Sequence, residues 1–346
     1  MTSISLTLTR NDTRRSLSMM AYWLLTVNAM IFVMILLGGI TRLTGSGLSI
    51  MEWAPLLGTF PPLSREEWER LFKLYQQTLQ FREVNFAMSL EGFRQIFWWE
   101  YLHRLWGRLI GLVFFLPLFF FIIKGHLQKK TIYQLTIIFA LGMLQGAIGW
   151  IMVASGFDHR TEVSQYRLAL HLGMALILYG LILWIALDFL FPEKEKSKLR
   201  IHGCVALGLI SLEIIIGAFV AGLNAGLIDN NFPFMGDTLV APDLFTLRPW
   251  WLNPFENPVM AQFLHRVMAG CVAIAVITLT IRVRRSNLSP HIKRRFYFVP
   301  CMLALQAVLG ISTLILAVPL PLAIAHQAGA VLLLSAALFA LHAVRK

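Results

Sequence analysis

One stretch of the sequence, residues 97–123, reads FWWEYLHRLWGRLIGLVFFLPLFFFII. Its second part is apolar and leads into a segment long enough to cross about 30 Å of hydrocarbon as a helix. Its first part nevertheless carries Glu100, His103, Arg104 and Arg108. Because ionisable groups inside a membrane span are costly, we expect these four residues to have a function.

Seven further segments of the 346-residue chain have the same apolar character, in keeping with 57% hydrophobic and 14% charged residues. The pattern predicts an all-α integral membrane protein with eight transmembrane helices. The predicted spans are residues 20–40, 98–123, 131–154, 168–190, 201–222, 259–281, 297–318 and 322–343. Since the number of spans is even, both termini are expected on the same side of the membrane.

The formal net charge is +12, and the position of the basic residues explains it better than a nucleic-acid partner does. The basic clusters lie on alternate connections, at residues 10–15, 124–130, 194–200, 282–295 and 345–346. Lys and Arg accumulate in short cytoplasmic segments of membrane proteins. The charge pattern therefore predicts a multi-pass protein surrounded by lipid, with cytoplasmic termini and no nucleic-acid partner. The first twenty residues lead directly into the first span without a small-residue cleavage site, which favours a bacterial inner membrane.

The two halves of the chain repeat each other. FLHRVMAG (263–270) corresponds to YLHRLWGR (101–108), LQAVLG (305–310) to LQGAIG (144–149), IAHQAGAVLLL (324–334) to ALHLGMALILY (169–179) and, more loosely, GAFVAGLNAGL (217–227) to GGITRLTGSGL (38–48). The repeat predicts a tail over residues 1–19 and two tandem four-helix bundles, residues 20–191 and 192–346. Because each half has an even number of spans, we expect a pseudo-two-fold axis along the membrane normal.

Two outer loops are long enough to cover the halves. Residues 64–81 begin with a capping box, Ser64 and Glu67, and the spacing predicts one amphipathic helix at the membrane interface. The residues predicted to share its apolar face are Trp68, Leu71, Phe72, Tyr75 and Leu79. Residues 249–258, PWWLNPFENP, are typical of an aromatic belt before the sixth span.

Four of the nine histidines occupy equivalent places near the outer ends of even-numbered spans: His103, His171, His265 and His326. The residue four positions later is small in each case, namely Gly107, Ala175, Ala269 and Ala330. A small residue there leaves room for a flat macrocycle below a ligating histidine. The pattern favours two bis-His haem sites, one in each half, over a zinc or copper site or hydrogen bonding within the bundle.

The remaining histidines have no such pattern, and we expect solvated or capping roles for them. They are His126, His159, His202, His291 and His342.

Other polar residues near the four histidines recur, with one exception. Arg104 and Arg266 follow equivalent histidines and suit haem propionates, whereas Arg108 could equally snorkel to lipid headgroups. Glu100, three residues before His103, corresponds to Gln262 in the second half. A titratable group in one of two similar sites indicates a catalytic half and an electron-transfer half, although Glu100 could instead pair with Arg104 at i+4.

Together these motifs resemble the haem A synthase family, in the branch of alphaproteobacteria and mitochondria. The similarity covers nearly the whole chain and is carried by GGITRLTGSGLSIMEWAPLLGTFPP (38–62), FWWEYLHRLWGR (97–108), the LQG and LQA segments and FLHRVMAG (263–270). The other branch has cysteine pairs in outer loops. Here the three cysteines, Cys204, Cys271 and Cys301, fall within predicted spans, where we expect them to be packing residues.

The resemblance implies an oxidoreductase that converts haem O, its substrate, to haem A for terminal oxidases. The C8 methyl group would become a formyl group through two successive hydroxylations and loss of water. The resemblance also implies that His265 and His326 hold haem b as cofactor, while His103 and His171 bind haem O. Glu100 matches the carboxylate of the family's ExxH motif and would assist near the reacting methyl group.

The same resemblance implies that haem O synthase supplies the substrate. It also implies an electron-transfer partner, whose identity the sequence leaves open, and the protein could form a homo-oligomer. A permanently bis-His haem b has no open position for oxygen and suits electron transfer. At the substrate, either a ligand leaves so that oxygen is activated, or the methyl group loses electrons and is captured by water with Glu100 as base. A two-haem electron-transfer protein and a transporter with a parallel repeat remain alternatives, although a transporter leaves the four histidines unexplained.

Overall fold

The computed structural model describes residues 10–53, 57–157 and 161–345, which are mainly α-helical. Eight helices are long and apolar enough to cross a membrane, which confirms the predicted all-α fold with eight spans. These are α1 Arg10–Leu43, α4 Leu90–Ile123, α5 Lys129–Ala154, α6 Gln165–Leu190, α7 Leu199–Gly222, α9 Pro258–Arg284, α10 Pro290–Ile315 and α11 Leu320–His342. The shorter elements are α2 Arg65–Tyr75, α3 Leu79–Glu83, α8 Asn253–Glu256, β1 Glu195–Lys196, β2 Val344–Arg345 and 3-10 turns at Leu57–Thr59, Ala225–Leu227 and Trp250–Leu252.

Two of the long helices begin well before the predicted spans. α1 starts at Arg10, inside the segment predicted as a tail, and α4 starts at Leu90. Ser89 caps α4, since its side chain accepts a hydrogen bond from the backbone of the first turn. The additional turns carry the buried Phe93, which packs against the outer loop. Packing on the protein therefore extends α4 beyond the length that hydropathy predicts.

Both halves use the same cyclic arrangement of four helices. In the first half α1 and α5 each pack against α4 and α6, and in the second half α7 and α10 each pack against α9 and α11. Between the halves, α6 contacts α7, α1 contacts α11, and α6 contacts its own counterpart α11. This pattern is expected around a two-fold axis. The direction of that axis and the boundaries at residues 19 and 191 stay predictions.

Polar contacts join the two halves at three levels. Tyr179 and Ser335 place their hydroxyl oxygens 2.8 Å apart between α6 and α11. Gln327 in α11 donates a hydrogen bond of 2.8 Å to the backbone oxygen of Ile35 in α1. At the outer end, Arg42 of the first half donates to the backbone oxygen of Ala221 at 3.0 Å and to the side-chain oxygen of Asn224 at 3.2 Å, and within its own half to Glu162 at 2.7 Å. Unlike the lipid-facing surface, the contact between halves is therefore held by specific hydrogen bonds.

The first span ends in a tight turn within a Gly-, Thr- and Ser-rich segment. The N–H groups of residues 44–46 bond back to carbonyls of the last helical turn. Gly45 has a φ of 65°, a left-handed conformation that glycine adopts without strain. The second half places Asn224 at the equivalent position with a φ of 51°. The two exits therefore share one backbone shape despite their weak sequence similarity.

The predicted cytoplasmic connections meet at one end of the molecule. β1 in the connection between the halves pairs in parallel with β2 at the chain end. Arg200 donates a hydrogen bond to the backbone oxygen of Val344, and Ser289 donates its N–H to Glu195. Three of the basic connections thus lie together, as the alternating charge pattern requires. Which side of the membrane they face stays a prediction.

Two expectations about individual residues were wrong. His342 is not solvated: it is fully buried, and its Nε2 lies 2.9 Å from the Asp188 carboxylate, linking α11 to α6. The three cysteines, expected to pack inside spans, are exposed on helix surfaces. Apolar position in the sequence does not distinguish a lipid-facing surface from a protein core, because both are free of water. His159 lies outside the described residues.

The first outer loop forms a cap, but not as one helix over residues 64–81. Ser64 accepts a hydrogen bond of 3.2 Å from the N–H of Glu67, which confirms the predicted start. The helix ends at Tyr75, however, and Thr78 then caps a second helix, α3, which contains Leu79. Trp68 and Tyr75 bury their rings against α4 rather than against lipid. The Thr78 hydroxyl donates to the backbone oxygen of Tyr75, where α2 ends, and accepts from the N–H of Phe81 in α3. Its side chain therefore competes for the backbone groups that would continue α2.

Candidate functional site

The four repeat-equivalent histidines lie on the helices that the repeat predicts. His103 is in α4, His171 in α6, His265 in α9 and His326 in α11. Each side chain is at least partly buried. Three of the four follow their helix start by about two turns, whereas His103 is more than three turns into the extended α4.

A glycine on a neighbouring helix lies against each of the four imidazole rings. A Cβ atom added at Gly149 or Gly310 would lie 2.8 or 2.7 Å from Cε1 of His171 or His326. Added at Gly217 it would lie 3.3 Å from Cε1 of His265, and at Gly38 3.3 Å from Nε2 of His103. Any larger residue would displace the imidazoles, since close-packed interiors do not absorb a methyl group.

These four glycines themselves form repeat-equivalent pairs, Gly38 with Gly217 and Gly149 with Gly310. The sequence analysis predicted room for a haem ring at different residues, those one turn beyond each histidine. There, a Cβ atom at Gly107 would lie 3.2 Å from the terminal methyl group of Met34. The proposed clearance for a ring stays a prediction, while the glycines on the facing helices are a feature that the sequence analysis missed.

The two histidines of the second half lie close enough together to hold a metal ion between them. The ring centroids of His265 and His326 are 6.4 Å apart, with the ring planes at 87°. A metal ion held between two imidazoles, with metal–nitrogen bonds of about 2 Å, places the ring centroids about 6 Å apart. Among the described residues no group of three or more His, Cys, Asp or Glu side chains could hold a metal ion, so the donor set fits an axial pair better than a cage.

A carboxylate that the sequence analysis overlooked lies beside His265. Oε1 of Glu213, in α7, is 2.9 Å from Nδ1 of His265, at ion-pair distance but without the alignment of a full hydrogen bond. Glu213 interrupts the apolar run LISLEIIIGAF (209–219). The rule that intramembrane ionisable residues are functional would have identified it. The repeat has no carboxylate at the equivalent position, which is why a search for repeated residues missed it.

In the first half, Glu100 binds the exit loop of α1. One carboxylate oxygen accepts hydrogen bonds from the N–H and hydroxyl of Ser49 and the N–H of Ile50, at 2.7, 2.8 and 2.9 Å. The other oxygen is 2.5 Å from Arg104, the i+4 pair that sequence spacing allowed. Arg104 also donates to the backbone oxygens of Ile50 and Glu52. Glu100 is buried, and four donors surround its carboxylate.

In the second half, Gln262 and Arg266 make the corresponding clamp with opposite polarity. The amide nitrogen of Gln262 donates to the backbone oxygens of Ala225 and Asp229, at 2.8 and 3.1 Å. Its oxygen accepts from Arg266, which also donates to the backbone oxygens of Asp229 and Phe234. The first-half loop offers N–H groups and the second-half loop offers carbonyl groups. That difference explains why the repeat changes from Glu to Gln at this position.

The other predicted residue in this region is Arg108, partly buried on α4. Nearby, Trp150 packs edge-on against Trp53 at 4.7 Å, and the Arg104 guanidinium lies 5.7 Å from the Trp150 ring centroid. The indole N–H of Trp106 donates to the backbone oxygen of Met30. These contacts fix the outer part of α4 against α1 and α5.

The loop held by Glu100 is also tied from outside by an ion pair. The two terminal guanidinium nitrogens of Arg70 in α2 donate to the two oxygens of the Glu52 carboxylate, at 2.8 and 3.0 Å. The hydrogen bond from Arg70 lowers the pKa of Glu52 below its ordinary value, although partial burial opposes this. The cap formed by α2 and the exit loop are therefore joined by a charged contact at neutral pH.

Eight helices able to cross a membrane, four of which carry an at least partly buried histidine, define an all-α polytopic membrane protein. Residues 21–338 match the model of the COX15-CtaA family, described as cytochrome oxidase assembly proteins, and the chain belongs to this family. It is 47% identical over 332 residues to a protein named Heme A synthase from Nitrosospira multiformis, covering 94% of this chain and 93% of the relative.

Two further relatives carry the same name. The Granulibacter bethesdensis protein is 48% identical over 340 residues, or 96% of this chain and 89% of the relative. The Rhodospirillum centenum protein is 43% identical over 351 residues, or 100% of this chain and 94% of the relative. These similarities confirm the family to which the sequence motifs point.

Proposed function

We propose that this protein is a haem A synthase that oxidises the C8 methyl group of haem O to the formyl group of haem A. The 6.4 Å separation of the His265 and His326 ring centroids, which leaves room for a metal ion between the imidazoles, is the structural observation that carries the proposal. The name of its relatives supports the same activity. A bis-His haem b would supply one-electron redox chemistry in the second half. Haem O would bind between His103 and His171 in the first half.

The first-half residues have roles that their contacts support. Gly38 and Gly149 leave the space that the two imidazoles occupy, since a Cβ atom added at either position would crowd the ring. Glu100 and Arg104 fix the loop over residues 49–52 above the site. In that position both oxygens of Glu100 accept hydrogen bonds, and the side chain could take a proton near the reacting methyl group only by releasing one of its donors.

The arginines are proposed to face the propionate edge of each haem. Arg104 and Arg266 already bind loop carbonyls, and a propionate would be a further acceptor for the same guanidinium groups. Arg108 would bind a propionate of the substrate. We also propose a bacterial inner-membrane location with cytoplasmic termini, supply of haem O by haem O synthase, and an electron-transfer partner of unidentified type.

The test is to express the protein with a source of haem O, extract the haems and separate them chromatographically. We expect haem A together with hydroxylated precursor, and Glu100→Ala should reduce both while sparing bound haem b. If the wild-type protein binds haem at both sites but forms neither product, a two-haem electron-transfer protein becomes the better interpretation. Full conversion by Glu100→Ala would leave Glu100 as a purely structural partner of Arg104.

A further inference from the structure

Glu213 is a membrane-embedded carboxylate with an incomplete set of partners. Its side chain is 16% exposed, and one oxygen lies 2.9 Å from Nδ1 of His265. Among the described residues its other oxygen, Oε2, has no hydrogen-bond partner. A half-satisfied carboxylate in an apolar helix costs stability, so packing alone does not explain it.

The first half replaces this carboxylate by a thioether. The match of Gly38 with Gly217 places Met34 at the position of Glu213. No other of the four imidazoles has a carboxylate at ion-pair distance within the described ranges. The asymmetry is therefore confined to the pair of histidines His103 and His265, which lie on equivalent helices.

The rings of these two histidines are turned in opposite senses. His265 presents Cε1 and Nδ1 to Gly217, at 3.3 and 3.8 Å from an added Cβ atom. His103 presents Nε2 and Cδ2 to Gly38 at the same two distances. A half-turn about the Cβ–Cγ bond exchanges these atoms, so the two rings occupy the same place with different nitrogens facing inward. Glu213 can hold one orientation by attracting Nδ1, whereas Met34 cannot.

We propose that Glu213 is a positioning residue that fixes His265 with Nε2 free to ligate, and that Met34 leaves His103 free to turn. This inference rests on the proposed function. It makes His265 a permanent ligand of haem b and His103 an exchangeable ligand, as a site that must take up haem O and release haem A requires. Ligating histidines commonly donate their second nitrogen to a carboxylate, which fixes the tautomer and raises the basicity of the ligating nitrogen.

The first experiment removes the carboxylate with little change in shape. In Glu213→Gln, we expect purified protein to retain haem b with an upward shift of its reduction potential, because a less basic ligand stabilises ferric iron less well. A tenfold change in the reduction equilibrium corresponds to about 59 mV. Haem b should also transfer to apomyoglobin about tenfold faster, within the range for lost partners of metal ligands. Met34→Leu is the matched control and should leave both quantities unchanged.

The second experiment introduces the carboxylate into the first half. In Met34→Glu, we expect His103 to be fixed, so that haem O leaves purified protein about tenfold more slowly. The reduction potential of haem b should not change. This gain does not depend on whether Glu213→Gln folds, because it alters the other half.

The outcomes separate the inference from the proposed function. If wild-type protein binds no haem b through His265 and His326, the proposed function fails. If it binds haem b and makes haem A, but Glu213→Gln alters neither the potential nor the transfer rate, the inference is overturned. An unchanged release of haem O from Met34→Glu would likewise overturn the proposal that position 34 decides exchange.

Discussion

The two halves of this protein have the same helices and the same four ring-contacting glycines, but they place their carboxylates differently. In the first half Glu100 fixes a loop and Met34 lies near the ligand helix, whereas in the second half Gln262 fixes the loop and Glu213 lies beside the ligand. In the first half the carboxylate binds the loop, so His103 has no carboxylate to orient it. A carboxylate at the histidine gives the fixed ligand that a permanent cofactor needs.

The comparison shows how one scaffold can separate two tasks. The glycines and helix contacts are common to both halves, and each glycine leaves room for a histidine ring of a neighbouring helix. The carboxylates, which are not common, decide how firmly each histidine is held. Divergence at a few polar positions is enough because buried charges are costly and each one is retained only where it has a role.

The largest effect is expected from removing a histidine. His265→Ala should abolish the bis-His haem b spectrum, while His103→Ala should keep that spectrum and lose haem A formation, because the two sites are separate. Optical spectra and haem extraction measure both results. His291→Ala, at an exposed position, is the control. Loss of haem b in His103→Ala would contradict the division into two sites.

The next effect is expected from the glycines beside the rings. Gly310→Ala should weaken haem b retention, and Gly149→Ala haem O binding, each by about 10–100-fold, because a Cβ atom would push the imidazole away. Titration with each haem measures the affinities. Gly146→Ala in the same helix as Gly149 is the matched control, since nothing lies within 4 Å of its added Cβ atom. Equal affinities in Gly149→Ala and Gly146→Ala would show that the contact has no function.

Exchanging the residue at the loop clamp should have a moderate effect. Glu100→Gln keeps the shape but loses the charged contact with Arg104, so we expect conversion to fall about tenfold, in line with the loss of a charge-assisted hydrogen bond. Haem b content should stay the same. The reciprocal Gln262→Glu places a carboxylate against the backbone oxygens of Ala225 and Asp229, and it should destabilise the second half. If Glu100→Gln converts haem O at the wild-type rate, the charge of Glu100 is not required for activity.

A smaller effect is expected at the contact between the halves. Arg42→Ala removes hydrogen bonds to Glu162 and Asn224, and we expect a loss of about 2 kcal/mol in the free energy of unfolding. Thermal inactivation in detergent, followed by haem absorbance, measures it. Arg65→Ala, which removes an exposed pair with Glu69, is the control. If both variants inactivate at the same temperature, the halves are held together by helix packing alone.

The smallest effect is expected at the exposed pair between Arg70 and Glu52. Because Arg70 lowers the pKa of Glu52, the pair stabilises the cap at neutral pH, and this contribution is lost as pH falls through the folded-state pKa. Both side chains are about half exposed, so Arg70→Ala should cost no more than about 0.5 kcal/mol. The difference between Arg70→Ala and wild type should disappear in acid. A difference that persists there would assign the effect to packing.

Much of the fold could be predicted from the sequence because hydropathy and repeats are local patterns. The eight spans follow from apolar length, and the four histidines follow from matching segments of the halves. The predictions that were wrong concern surroundings: His342 is buried by α6, and the exposed cysteines face away from the core. No local pattern specifies which face of an apolar helix meets protein and which meets lipid.

The site was predicted in part for the same reason. The sequence analysis identified Glu100 and Arg104 and gave an i+4 ion pair between them as the alternative to a catalytic Glu100. The structure contains that ion pair. Glu213 was missed because the search followed repeated residues, and its partner His265 lies on a helix distant in sequence. The ring-contacting glycines lay inside the repeated segments, but helix exits and spans commonly contain glycine.

The sequence by itself determined the number of spans, the repeat, the family and the four candidate ligands. Each of these follows from composition, or from the order and spacing of residues along the chain. Only the tertiary structure decided that glycines on facing helices touch the imidazoles, that Glu100 holds a loop, and that Glu213 lies beside His265. Those features are contacts between segments far apart in the chain. They depend on helix packing, which brings side chains within a few ångströms irrespective of their separation in sequence.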